Sequence, residues 1–243
     1  MEYIRVLALL RVYGRQESAH IYLMLYDSFL MPALAAYLGF MLFVRDLERL
    51  RWWVAGCVAF GIAQGCLIQV GSAVLQDRFH GRLDLLRAAQ VRPLTYYVAH
   101  ILMTTGRALL LVWMAMLVLG ALGVAQLGLL GLTIASLAAV CAGSSVGSLG
   151  AIIGLRATDY DQGNMLVAVT AVGFALVSPV FYALDRLPRP LQFVAMLSPL
   201  THATTLLRTM VDGDPVSLGT LMLIGILAFV YNIASYRMLR WQG

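Results

Sequence analysis

Six long apolar stretches constrain the fold of this chain more than any other feature of the sequence. A transmembrane helix needs about 20 largely apolar residues, and these stretches lie at residues 21–44, 52–75, 95–119, 124–153, 164–184 and 216–236. Because 61% of the residues are hydrophobic and only 12% are charged, a soluble domain of this size would be unable to bury so much apolar surface. We predict an all-α, polytopic membrane protein with six transmembrane helices in one domain, residues 1–243.

The basic residues narrow the range of functions. All 17 are arginines, whereas a nucleotide-binding P-loop needs the lysine of its GxxxxGK motif, so this chain cannot form that motif. In a membrane protein, excess arginine more often sets orientation and contacts anionic lipid than binds nucleic acid. We therefore expect membrane lipid, and no nucleic acid, among the partners. The cysteines lie in apolar stretches and no Cys/His cluster has metal-binding spacing, which predicts no metal site.

The distribution of arginines predicts the orientation. Six spans would place both termini on the same side of the membrane. If that side is the cytoplasm, ten arginines lie inside, six lie outside, and Arg107 falls within a span. Cytoplasmic loops of membrane proteins carry an excess of basic residues, so we predict that both termini are cytoplasmic.

Two segments outside the predicted spans are also partly apolar. Residues 1–16 carry apolar side chains at helical spacing among arginines, which predicts a helix lying in the membrane interface; the alternative is a basic tail that only sets topology. Residues 185–212 contain two apolar runs that are too short to cross a bilayer. We expect these runs to form re-entrant or interfacial helices on the outer side.

Residues 76–92, which we call the charged segment, concentrate charge between the second and third spans. Read as one helix, the segment places Phe79, Leu83 and Leu86 on one face at the spacing i, i+4, i+7. A second face carries the polar side chains Asp77, His80, Asp84 and Arg87. This pattern favours a cytoplasmic helix that presents a face to a soluble partner. A solvated loop that merely obeys the positive-inside rule is the alternative.

Two motifs resemble those of ABC transporter type-2 permeases. In the first, an acidic–basic pair and a glycine precede a Leu-acid-x-Leu core; the matching residues are Asp77, Arg78, Gly81, Leu83, Asp84 and Leu86. Gln90 stands where the family usually has proline. The second motif resembles the outer segment of the family; its matching residues are Leu187, Pro188, Pro199, Leu200, Thr201 and Arg208.

The resemblance implies that the charged segment is the coupling helix, which docks on a separate ATP-binding subunit. The implied contacts are Asp77, Arg78, Phe79, Gly81, Arg82, Leu83, Asp84 and Leu86. It further implies a bacterial exporter in the cytoplasmic membrane, with two ATP-binding subunits and a second permease copy, identical or similar. ATP and magnesium would be held by the partner subunits, and this chain would need no cofactor. The apolar spans suggest an amphipathic or lipid-like substrate such as a drug, a lipooligosaccharide or a glycan-lipid.

Asp27 and Arg107 are the ionisable residues within the predicted spans that need explaining, because a charge inside a bilayer is costly and usually faces the bundle or water. They are expected to approach each other or to line the transport path. Alternatively, each side chain snorkels separately to the inner interface. Gly143, Gly147, Gly150 and Gly154 form small-xxx-small patterns, which favour close packing within the chain over a dimer interface.

Two other classes of protein would require different residue patterns. A lipid-modifying membrane enzyme would need convergent carboxylates or histidines at the membrane surface, and only Asp159 and Asp161 come near that pattern. A proton-coupled carrier would need an acidic relay deep in the spans, for which Asp27 is the one candidate. We therefore expect a transporter subunit and not an enzyme.

Overall fold

The part of the chain that the structure describes is helical throughout its regular structure. The computed structural model describes residues 31–43, 46–121, 123 and 128–238, together with Val6 and Leu9, and this part of the chain contains no β-strand. Numbered along the described chain, the α-helices are α1 Met31–Leu42, α2 Leu47–Phe79, α3 Arg82–Ala88, α4 Pro93–Ala121, α5 Leu129–Arg156, α6 Tyr160–Val177, α7 Arg189–Met196, α8 Pro199–Asp212 and α9 Leu218–Met238. A short 3-10 turn, Leu184–Arg186, precedes α7.

Four of the described helices, α2, α4, α5 and α9, are long and apolar enough to cross a membrane. The prediction of an all-α polytopic membrane protein is therefore confirmed, whereas the number of six spans stays a prediction. The predicted first span is described only from residue 31 onward, where α1 begins. The predicted interfacial helix, residues 1–16, lies outside the described residues apart from Val6 and Leu9.

The predicted span at residues 164–184 is helical only through Val177, where α6 ends. The expected continuation to residue 184 is wrong because of Pro179, which has no N–H to donate and disfavours helical geometry at the preceding residue. Ser178 accordingly adopts an extended conformation. α6 thus ends near the start of α2, at what we call the Leu47 end of the bundle; the opposite end, where α2 finishes, we call the Phe79 end.

The helices pack most closely along the glycine stripe of α5. A Cβ added at Gly150 would lie 2.4 Å from the backbone oxygen of Leu67 in α2, and one at Gly147 would lie 2.9 Å from the Thr104 side chain in α4. Small residues let helix backbones approach in a bilayer. The small-xxx-small patterns therefore serve packing within the chain, as predicted.

A buried polar cluster holds α4, α5 and α9 together toward the Phe79 end. The Tyr97 hydroxyl lies 2.8 Å from Ser148 Oγ and donates to Asn232 Oδ1 at 2.7 Å. Ser148 also donates to Asn232 Oδ1 at 3.1 Å. Because a bilayer offers no water to unpaired polar groups, this cluster fixes the register of the three helices.

Candidate coupling site and transport cavity

The charged segment is not one helix but the end of α2, a turn and the short helix α3. Gly81 breaks the helix with a φ of +72°, a left-handed conformation that glycine adopts readily. The prediction that Phe79, Leu83 and Leu86 share one helical face is therefore wrong, because Phe79 belongs to α2. Gln90, just after α3, has a φ of +55°. Proline, which is locked near −65°, would not fit this backbone, so the departure from the family pattern matches the local conformation.

Asp77 lies inside the molecule, with 2% of its surface exposed. Tyr96 Oη donates to its Oδ2 at 3.0 Å, and Arg82 Nη1 lies 3.1 Å from its Oδ1. His100 Nε2 lies 3.5 Å from Oδ2. The carboxylate expected on a partner-facing surface is thus enclosed by groups from α3 and α4.

Arg78 also points back toward the bundle. Its Nη1 donates to the backbone oxygens of Leu155, at 2.5 Å, and Ala157, at 2.8 Å. These carbonyls lie at the C-terminal end of α5, where a helix leaves acceptors unpaired and favours positive charge. Arg78 therefore fastens the end of α2 to the end of α5.

The surface that α3 exposes differs from the one expected. Leu83 is buried and packs with Val70 and Val74 of α2 and Tyr96 of α4, with Leu86 alongside. The neighbouring Leu85 is 69% exposed, and it was missed because the interpretation as one helix made Leu83 and Leu86 the exposed stripe. The signal was in the Leu-acid-x-Leu core itself: when both leucines of a short helix face inward, the residue at x faces outward.

Charged side chains accompany Leu85 on this surface. The Asp84 side chain is 78% exposed and lies 3.6 Å from Arg87, so this pair is solvated and contributes little to folding. Arg82 is half-exposed while it binds Asp77. At the Phe79 end, α3 thus presents one exposed leucine flanked by charges of both signs.

A cavity of about 750 Å³ lies between α1, α2, α4 and α6. Its lining is mainly apolar, with Leu34, Phe60, Ile68, Leu111, Val172 and Phe181 among its residues. Among the described residues, two amide side chains and one guanidinium also line it: Gln64 and Gln69 of α2 and Arg107 of α4. Thr104 donates to Gln69 Oε1 at 3.3 Å, whereas Gln64 Nε2 is buried without a hydrogen-bond partner among the described residues. Volume and lining are typical of a small-molecule site.

Arg107 lies midway along α4 and faces this cavity. This position agrees with the expectation that a charge within a span faces the bundle or water and not lipid. Asp27 lies outside the described residues, so the expected approach of the two residues stays a prediction.

The second motif lies at the Leu47 end, where its residues hold α7 and α8 together. Pro188 immediately precedes α7, and Pro199 occupies the first turn of α8. Thr201 Oγ1 donates to the backbone oxygen of Ala195 at 2.6 Å. The Ser198 hydroxyl accepts from the backbone N–H of Leu200 and lies 2.7 Å from Ser178 Oγ. The motif therefore caps α8 and joins it to α7 and to the end of α6.

Arg208 anchors α8 to two other elements. Its guanidinium donates to the backbone oxygens of Pro179, at 3.1 Å, and Val180, at 2.5 Å. The same group lies 3.4 Å from the centroid of the Trp52 ring, a cation–π contact. Burial lowers the pKa of Arg208 to about 10, although the negative charge of Asp212 acts in the opposite direction and raises it. The side chain therefore stays protonated at neutral pH.

Of Asp159 and Asp161, the carboxylates that suggested an enzyme, Asp159 has a structural role in α6, whereas the Asp161 side chain is exposed. Asp159 Oδ2 accepts from the backbone N–H groups of Asp161 and Gln162 at 3.1 and 3.2 Å, so it caps the helix N-terminus. Among the described residues, no group of three or more His, Cys, Asp or Glu side chains is placed to hold a metal ion.

Four helices able to cross a membrane, a short charged helix at one end and an apolar cavity with few polar groups are features of a polytopic membrane protein. The chain belongs to the ABC-2 type transporter family, whose model matches residues 11–211. It is therefore a membrane permease of an ABC transporter. The match confirms the resemblance and includes both motifs. No curated protein matches the chain significantly.

Proposed function

We propose that this permease is the membrane subunit of an ATP-driven exporter and that an ATP-binding subunit docks on α3. The observation that carries the proposal is the exposed Leu85 between Asp84 and Arg87, on a helix anchored to the bundle by Leu83. Burying a leucine stabilises a contact by about 1.5–3 kcal/mol, and the adjacent charges fix its orientation. Phe79, 42% exposed at the end of α2, completes the proposed contact, whereas Arg82 is held by Asp77 and is not part of it.

Two ATP-binding subunits, which hold ATP and magnesium, would drive a pair of permease chains, identical or similar. A paired arrangement gives a pathway between two bundles that opens alternately to each side. The Phe79 end would face the cytoplasm of a bacterium, since ten of the 17 arginines fall on that side in the six-span topology. Both termini would then be cytoplasmic.

The cavity supports an amphipathic or lipid-like substrate. Its apolar walls suit an acyl chain or a drug-like ring system, and Gln64, Gln69 and Arg107 offer hydrogen-bond donors for a polar group. We propose Arg107, with Asp27, as residues of the pathway. If Arg107→Gln and Asp27→Asn each leave transport and membrane insertion unchanged, this role is wrong.

The segment 185–212 would cover the outer end of the pathway. Thr201 and Arg208 support this role because they hold α8 against α7, the start of α2 and the residues after α6. Pro188 and Pro199 stand where α7 and α8 begin.

The docking proposal is tested by co-purification of the permease with a co-expressed candidate ATPase that contains a P-loop. We expect Leu85→Asp to lower the amount of bound ATPase at least tenfold, because the charge enters an apolar contact. Leu191→Asp, at an exposed position of α7 on the opposite end, is the matched control. Leu83→Asp is unsuitable because Leu83 is buried and the variant would misfold. Full ATPase binding by Leu85→Asp would contradict the proposal.

A further inference from the structure

We propose that Asp77 is a positioning residue that transmits movement of α3 to the membrane helices, and that it does not contact the ATP-binding subunit. The inference rests on the proposed docking of that subunit on α3. It assigns to Asp77 a role inside the permease, in place of the surface contact implied by the family resemblance.

Among the described residues, three helices meet at the Asp77 carboxylate. Asp77 itself belongs to α2, Arg82 of α3 binds Oδ1, and Tyr96 and His100 of α4 approach Oδ2. With 2% of Asp77 exposed, the ion pair with Arg82 is screened by water much less than a surface pair. A buried carboxylate is also costly to leave unpaired, so the pair resists separation when α3 is displaced.

α3 needs such a connection because its backbone links are sharp turns. The helix has seven residues, too few to be stable alone, and positive φ angles at Gly81 and Gln90 bound it on both sides. Leu83 also joins α3 to the bundle, but an apolar contact is non-directional and tolerates sliding. The Arg82–Asp77 pair has defined geometry, so it passes on direction as well as displacement.

α2 then carries the displacement to the cavity. It runs without a break for 33 residues, about 50 Å at 1.5 Å per residue. Gln69 and Gln64 lie on the same helix, about 12 and 20 Å from Asp77 along its axis. Arg78 couples this end of α2 to α5 as well. A pull on Asp77 would thus move one wall of the cavity.

Cys57 offers a reporter because it lies on α2 and lines the cavity. The test measures how fast N-ethylmaleimide modifies Cys57 in the permease–ATPase complex, with Cys66 and Cys141 replaced by serine. Rates are compared with and without a non-hydrolysable ATP analogue. We expect the analogue to change the rate at least threefold in the parent complex and to have no effect with Asp77→Asn, while ATPase binding and ATP hydrolysis persist. Asp77→Glu should restore part of the response.

Asp161→Asn is the matched control, since it removes an exposed carboxylate at the same end of the bundle and should leave the response intact. Arg82→Gln removes the other partner of the same ion pair, which is half-exposed. This variant replaces Asp77→Asn in the test if Asp77→Asn misfolds. If the two residues act through one bond, the double variant should be no worse than either single variant.

Three results would overturn the inference: an unchanged nucleotide response in Asp77→Asn, loss of ATPase binding in that variant, or no response in the parent complex. The second would return Asp77 to the docking surface or to a purely structural role. Failure of the parent permease to bind the ATPase would instead contradict the proposed function, and the inference with it.

Discussion

At the scale of single residues, the charged side chains that stand out in the sequence mainly hold parts of the same chain together. Asp77, Arg78 and Arg208 all bind groups of the same chain. The sequence shows that these charges interrupt apolar surroundings, which predicts that they matter. It does not show which way they face, because that depends on the break at Gly81 and on how the helix ends meet. The exposure of Leu85 was not predicted, for the same reason.

Arg208 gives the first stability test. Arg208→Gln removes the cation–π contact with Trp52 and the charge that strengthens the hydrogen bonds to Pro179 and Val180. We expect a loss of about 2 kcal/mol, measured as a lower Tm by intrinsic fluorescence in detergent. Arg186→Gln, at an exposed position of the same end, should leave Tm within about one degree. Equal Tm values for both variants would show that the anchor contributes nothing.

At the scale of helices, the sequence predicts the apolar middles of the spans better than their ends. α2 extends beyond the predicted residues 52–75 at both ends. At its start Asp46 caps the helix, because its side chain accepts a hydrogen bond from the backbone N–H of Arg49 at 3.1 Å. Charged residues can also continue a helix beyond the hydrocarbon region of the bilayer. α6 ends early because of Pro179. The glycine spacing of α5 predicted close packing, but not the helices it would meet.

The contact between α2 and α5 gives a second stability test. Gly150→Ala places a Cβ 2.4 Å from the Leu67 backbone oxygen, which only a backbone shift can relieve. We expect a loss of about 1–3 kcal/mol as a lower Tm. Gly173→Ala is the control, since a Cβ there meets nothing within 4 Å, and alanine is a better helix former by about 1 kcal/mol. A stable Gly150→Ala variant would mean that the two helices lie farther apart.

At the scale of the whole molecule, the membrane class and the family were predictable, because hydropathy and the two motifs are local properties of the sequence. The cavity was not predictable as a cavity. Gln64 and Gln69 reach it from α2 and Arg107 from α4, and the register between two helices depends on packing that no short segment encodes. Only Arg107 was singled out, since a charge within a span is visible without structure.

The orientation is testable in intact cells with a membrane-impermeant thiol reagent. In a background without the three native cysteines, Asp185→Cys should be labelled from outside, because residue 185 is exposed at the Leu47 end. Leu85→Cys, expressed without the ATPase, should react only after the cells are opened. Labelling of the Leu85→Cys variant in intact cells would reverse the proposed orientation and exclude ATPase docking on α3.

The most direct measurement places a photo-crosslinking amino acid at position 85 of the permease, co-expressed with its candidate P-loop ATPase. If the ATPase docks on α3, position 85 will form a permease–ATPase crosslink on illumination, and position 191, the matched site on the opposite end, will form none. A crosslink from position 191 with none from position 85 would contradict this docking, because the subunit that supplies ATP hydrolysis would then not bind at α3.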